Sequence, residues 1–296
     1  MKQPFYRNNM IPFRTFVLLI TISLCLFIAC NGNSAGRPTG NTGETTTRPE
    51  VTQNDEIIPE EKAPQINTID SVLERMRKAV RELKSYQAKI KHTVRQPLLD
   101  STTVRKGSLY YKKDATGSKL RLDFDTLRQD DGREQPQKEQ VFFDGVWLIR
   151  IDYQLKRVEY RQLAEPNKPL EPLDLATDYL PIVGFADIEE LKSGFDIRLI
   201  DNNSDKSNKV IHLQLKPRSN SRYKDDYSRV DLWLDKLLFL PVKIVAVSNQ
   251  DQIQELEFSS RSINKKLNNS LFRVEIPDGF SKNVIELNKA SGKSGQ

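Results

Sequence analysis

The sequence predicts an α+β domain: one amphipathic helix, then an antiparallel meander of about ten or eleven strands, too wide to stay flat. Three observations carry this prediction. Apolar residues recur at helical spacing from Ile66 to Leu83. From Tyr86 onward they alternate with polar residues at a period of two. Short polar turns separate the alternating runs. The composition agrees. Of 296 residues, 37% are apolar and 29% charged, and 2 Trp, 9 Tyr and 13 Phe can fill a core, which excludes wholesale disorder. Only one stretch is uninterruptedly apolar, which excludes a polytopic membrane protein.

The helix is read from Ile66, Ile69, Val72, Leu73, Met76, Ala79, Val80 and Leu83, with Lys, Arg and Glu between them and Thr68 or Asp70 as its cap. Its apolar stripe must cover something, most simply a sheet face. The first strand runs through Tyr86, Ala88, Ile90, His92 and Val94. Leu109 and Tyr111, then Leu120, Leu122 and Phe124, continue the alternation. Asp144-Gly145 between Val141-Phe142-Phe143 and Val146-Trp147-Leu148-Ile149 is the strongest hairpin signal. Val158 and Tyr160 extend a further strand, and a Pro-rich crossing follows at 165–172.

Leu173–Leu180 is read as a short helix. Asp187–Lys192 is a helical turn that Gly194 is placed to end. Strands are then expected at 195–199, around Leu213 and Leu215, around Leu232 and Leu234, from Leu238 through Leu240 to Ile244, and at 253–258, with a polar turn at 202–208. A last strand is expected through Phe272, Val274 and Ile276.

The N-terminus sets the compartment. Residues 1–15 carry three positive charges and no acid, and Phe16–Ala29 is an apolar run of fourteen residues broken only by Thr21, Ser23 and Cys25. That length suits a secretory leader over residues 1–29 better than a spanning helix, a short uncleaved anchor being the other reading. Phe27-Ile28-Ala29-Cys30 resembles a bacterial lipobox, which implies cleavage before Cys30 and its acylation. The other reading is a Cys beside an ordinary cleavage site. A thiolate is the strongest nucleophile available for the acylation step. Once the leader is gone one cysteine is left, so no internal disulfide forms. Residues 31–65 hold no aromatic and five apolar residues, too few to offset the entropy of ordering. They read as a disordered tether over residues 30–65, as does a flexible tail at 288–296.

The formal charge of +6 points weakly toward nucleic acid. Lys2, Arg7 and Arg14 lie in the leader; without them 43 Lys and Arg face 40 acids, too even a balance for a phosphate-binding surface. Chemistry is sparse. His92 and His212 stand in strand patterns, read as solvated positions, with no second ligand at metal spacing; no zinc, nucleotide or nucleophile-elbow motif is present. The carboxylate pairs Asp130-Asp131 and Asp225-Asp226 fall in polar turns. No catalytic residue, metal or cofactor is assigned.

Three segments carry a family resemblance: Val141–Tyr153 (VFFDGVWLIRIDY), Ile211–Pro217 with Val230–Pro241 (IHLQLKP, VDLWLDKLLFLP), and Phe272–Phe280 (FRVEIPDGF). Together, in order, they are similar to the bacterial lipoprotein carrier family of LolA, LolB and LppX over residues 66–287. The resemblance implies a half-open antiparallel β-barrel, covered by the N-terminal and short helices over an apolar cavity. It further implies non-enzymatic carriage or reception of acyl chains of lipoproteins or other lipids. The family's lid-fastening Arg has no single counterpart here; Arg95, Arg105 and Arg121 all stand at strand positions. The chain also departs from a minimal member by its tether and a polar insertion at Gln129–Gln140.

Two readings of the apolar faces stay open: a dry core, or a gap that admits an acyl chain. Under the second, the lining is Tyr111, Leu120, Leu122 and Phe124; Phe142, Trp147 and Ile149; and Leu213, Leu215, Leu232, Leu234 and Leu240. The expected protein is a monomeric, periplasm-facing lipoprotein of the cell envelope, at the outer rather than the inner membrane because Asn31 is not Asp. The competing expectation is an anchored structural or regulatory module that binds proteins.

Overall fold

The computed structural model describes residues 68–115, 117–172, 188–200 and 209–287, all within the second of the chain's two units, Ile66–Gln296. The leader, Cys30, the tether, the helix expected at 173–180, the turn at 202–208 and the tail lie outside the described residues.

Helix α1 spans Ile69–Arg81. Thr68 caps it in extended backbone, its Oγ1 accepting from the Ser71 amide at 3.2 Å. Val72, Leu73 and Met76 line one stripe and are wholly buried. Helix α2 (Ile188–Gly194) is the expected helical turn. Among the described residues, the main contacts of α1 are with α2 and strand β7 (Phe195–Ile200). A Lys192–Asp70 ion pair at 2.7 Å joins the two helices, and the Arg75 guanidinium lies 5.3 Å from the Phe239 ring centroid. The helix therefore sits at one end of the sheet.

Among the described residues the sheet has twelve strands, in the order β12-β6-β5-β4-β3-β2-β1-β11-β10-β9-β8-β7. Its edges, β7 and β12, do not pair with each other, so the barrel is half-open. β1 (Ser85–Gln96), β2 (Ser101–Asp114), β3 (Gly117–Gln129), β4 (Gln135–Phe143), β5 (Trp147–Asp152) and β6 (Arg157–Gln162) form one antiparallel meander. β7, β8 (Val210–Pro217), β9 (Tyr227–Asp235), β10 (Pro241–Ser248) and β11 (Ile253–Ile263) form a second. The pairing of β1 with β11 fuses them.

The polar segment at 129–140 falls in the β3–β4 hairpin: β3 runs to Gln129 and β4 begins at Gln135, so its polar residues lengthen that hairpin. One expectation is corrected. Residues 272–276 form no strand. A short 3-10 turn covers Asn269–Phe272, and the last strand is β12 (Ser281–Ile285), paired in parallel with β6. Val274 instead packs on the β4–β6 core, so its apolar character reflects lateral packing rather than strand alternation.

Two glycines have structural causes. A Cβ at Gly107 would lie 1.8 Å from the Asp123 carbonyl, where β3 bulges at Asp125 against β2. Gly145 takes φ +97 in the Asp144 turn and meets Pro169 and Leu170 of the Pro-rich crossing. Asp144 Oδ1 accepts from the amides of Val146 and Trp147 at 2.9 and 2.8 Å, an Asx turn that fixes the hairpin.

Candidate functional site

Residues paired across neighbouring strands share a face, so the registers divide the sheet into two sides. The inner side carries Leu213, Leu232 and Ile244, then Leu256, His92, Arg105 and Leu127, and Leu109, Leu122 and Val141 farther along. The outer side carries Trp233, Lys243, Glu257 and Lys91, and on the other half Asp123, Gln140 and Ile151.

The expected lining residues separate accordingly. Leu213, Leu215, Leu232 and Leu234 are on the inner side and at most 1% exposed, and Leu240 is buried in the turn before β10. Here the chain's own side chains fill the space. Tyr111 is also inner and buried, its hydroxyl donating to Glu171 at 2.9 Å. Leu120, Leu122 and Phe124 are inner but only half-buried.

Phe142, Trp147 and Ile149 stand on the opposite face. Leu120 pairs with Phe143 rather than Phe142, and that single position turns the whole set outward. They form a second core with Ile151 and Val158, against which Tyr153, Tyr160, Val274 and Phe280 pack. Arg121 fastens this outer cover: its guanidinium donates to the Leu271 carbonyl at 2.6 Å and lies 5.0 Å from the Phe142 ring centroid.

With Phe142 and Ile149 outward, β4–β6 present charge to the inner side. Glu139, 3% exposed, accepts from Arg105, and from Arg150 Nε at 2.7 Å. Burial works against ionisation of the Glu139 carboxyl, but the two guanidinium groups outweigh it and hold the group below the usual carboxylate range. Arg105 also lies 4.5 Å over the Phe124 ring. His92, opposite Arg105 in the register, is pushed down to about 4, first by burial and then by Arg105. It is neutral at neutral pH and is not the solvated residue expected, because the inner side of β1 is enclosed by its neighbours.

The inner side thus grades along the sheet: a filled apolar end at β8–β10, a half-buried apolar strip at Leu120, Leu122 and Phe124, and a charged end at Glu139, Arg150 and Asp152. Sequence reasoning missed the Arg105–Glu139–Arg150 cluster. Its signal was Arg105 standing in the alternation Thr103, Arg105, Gly107, Leu109.

The outer side over β8–β11 is polar. His212 is again not solvated: its ring stacks on Trp233 with centroids 4.3 Å apart, and Nε2 meets Asp231 Oδ1 at 2.9 Å. Arg95 is outer too, paired with Glu255 at 3.1 Å. Among the described residues no cluster of three or more His, Cys, Asp or Glu is arranged to hold a metal ion, and no helix is long and apolar enough to cross a membrane.

No protein-family model and no curated protein matches this chain. Among solved structures it is similar to MucB, at 18% identity and a TM-score of 0.43, over 70% of this chain and 62% of MucB. MucB has also been solved in complex with MucA from Pseudomonas aeruginosa. The lipoprotein LppX of Mycobacterium tuberculosis is similar at 14% identity and a TM-score of 0.40, over 68% of this chain and 99% of LppX. A LolA superfamily protein from Nitrosomonas europaea is similar at 14% identity and a TM-score of 0.33, over 70% and 98% of the two chains.

Proposed function

We propose that the protein binds lipid acyl chains without catalysis, in the bacterial envelope, held to a membrane through an acylated Cys30, and that its cargo is the lipid of lipoproteins in transit to the outer membrane. The observation that carries this reading is the half-buried strip of Leu120, Leu122 and Phe124 between a filled apolar end and a charged end. A methylene-rich tail laid on it would leave water, at about 0.8 kcal/mol per CH₂, while a polar head would face Arg150 and its neighbours. The filled β8–β10 end is not itself the cargo site.

The test is mass spectrometry of solvent-extractable lipid bound to the full chain purified from envelopes; the covalent lipid on Cys30 does not extract. The chain should carry lipid, and Leu122→Glu with Phe124→Glu should lose it while keeping its circular dichroism. Trp233→Glu, on the outer side, should keep it. A folded chain that carries no lipid, or a Leu122/Phe124 variant that carries as much, contradicts the reading.

A further inference from the structure

Strand β7 is one edge of the sheet, and among the described residues it pairs with β8 alone. The amide of Arg218 donates to the Gly194 carbonyl at 2.9 Å. That bond sets the phase of the antiparallel ladder. The backbone groups of Asp196, Arg198 and Ile200 turn toward β8, and those of Phe195, Ile197 and Leu199 turn to the open edge. Arg218 Nε covers the Phe195 carbonyl at 3.1 Å, so among the described residues the open stretch is Ile197 and Leu199.

Side chains alternate across this edge. Ile197 and Leu199 stand on the inner side, and Leu199 is 38% exposed. Arg198 stands on the outer side, in a groove of about 820 Å³ with Gln214, Lys216, Arg218, Ser219 and Asn220. Arg218 pairs with Asp196 at 3.1 Å. Arg198 and Lys216 have no ion-pair partner among the described residues. The groove is therefore basic, and it lies beside a backbone edge that no other described strand pairs with.

We propose that this edge takes an extended acidic segment of a partner protein as a thirteenth strand. Main-chain bonds to Ile197 and Leu199 would hold it, and the alternation would specify it. Its acidic side chains would enter the groove against Arg198 and Lys216, and its intervening apolar side chains would meet Ile197 and Leu199. A second copy of the chain is the competing occupant, and self-association through β7 is an outcome of the test. The acyl strip is not involved, so this inference stands apart from the proposed function.

The experiment is fluorescence anisotropy of the full chain with a labelled peptide of alternating Val and Glu. Three observations are expected: saturable binding that weakens with salt, loss of at least about tenfold in affinity in Arg198→Glu with Lys216→Glu, and the same loss in Leu199→Pro. The proline removes an N–H that β8 does not use, so it is tolerated at an edge. Methylating one alternate set of peptide amides should abolish binding and methylating the other should not, a result that charge attraction alone does not give. Four results would overturn the proposal: no binding, equal binding of a scrambled peptide, equal sensitivity to both methylation patterns, or a self-associated chain that Leu199→Pro renders monomeric.

Discussion

The two meanders of this sheet share one continuous ladder and solve burial in opposite ways. In β7–β11 the apolar residues face inward: Val230, Leu232 and Ile244 are 0% exposed, and the outer side is laced with ion pairs such as Lys91–Glu257 and Lys243–Glu255. In β4–β6 Phe142, Ile149, Ile151 and Val158 face outward beneath the 274–280 segment, and the inner side holds Glu139, Arg150, Asp152 and Arg161 beside Val141, Phe143 and Leu148. The core changes sides, and the changeover occupies β2 and β3. There Leu109, Leu120, Leu122 and Phe124 give the inner side an apolar strip, and Arg105 of the charged cluster reaches it over the Phe124 ring. The proposed binding strip lies where the faces exchange.

The comparison can be broken most severely at the charged end. Glu139→Ala leaves Arg105 and Arg150 buried without their shared acid, and we expect a loss of about 4 kcal/mol in urea unfolding. Leu232→Ala, in the filled end, should cost about 3 kcal/mol by the same measurement. If the two ends proved equally tolerant, the contrast between them would be wrong.

A titration sharpens it further. His92 has a folded-state value near 4, below the ordinary value of about 6.5, so the unfolded chain binds its proton first. Its contribution is fully present above pH ~6.5 and is lost as pH falls toward 4. We expect a decline on the order of 1–2 kcal/mol between pH 7 and 4.5, and a flatter profile in His92→Phe. An identical slope in that variant would remove His92 from the account. The Glu139 contribution is lost only below the ordinary carboxylate range of about 4.3, so the two windows are separable. The smallest effect on stability is expected in the strip: Leu122→Ala should cost about 1 kcal/mol, because Leu122 is only half-buried, yet it should reduce bound lipid several-fold.

Much of the fold was legible from period alone. β1, β6, β7 and β8 alternate as their sequences predict, the Asp144-Gly145 turn is where two-residue hairpin chemistry puts it, and Thr68 caps the helix. Which face each strand buries was less legible, because that depends on pairing. Val141-Phe142-Phe143 offers an apolar residue to both sides, and only the pairing of Leu120 with Phe143 decides that Phe142 points outward. WLIRID in β5 held the clue: Trp147, Ile149 and Ile151 on one face, Leu148, Arg150 and Asp152 on the other. The last strand was misread for a related reason. Val274 is apolar because a core lies beside it, whereas Ser281–Ile285 joins the sheet with most of its side chains exposed and so shows no alternation.

The central claim is that the acyl site lies on the inner side of β2–β4 and not in the filled end. Photolabelling the full chain with a diazirine-bearing fatty acid, followed by peptide mapping, tests it most directly. The account predicts adducts on β3 peptides containing Leu122 and Phe124, and none on β8–β9 peptides containing Leu213 and Leu232. Adducts concentrated on β8–β9, or on the outer Trp147–Tyr160 surface, would contradict it.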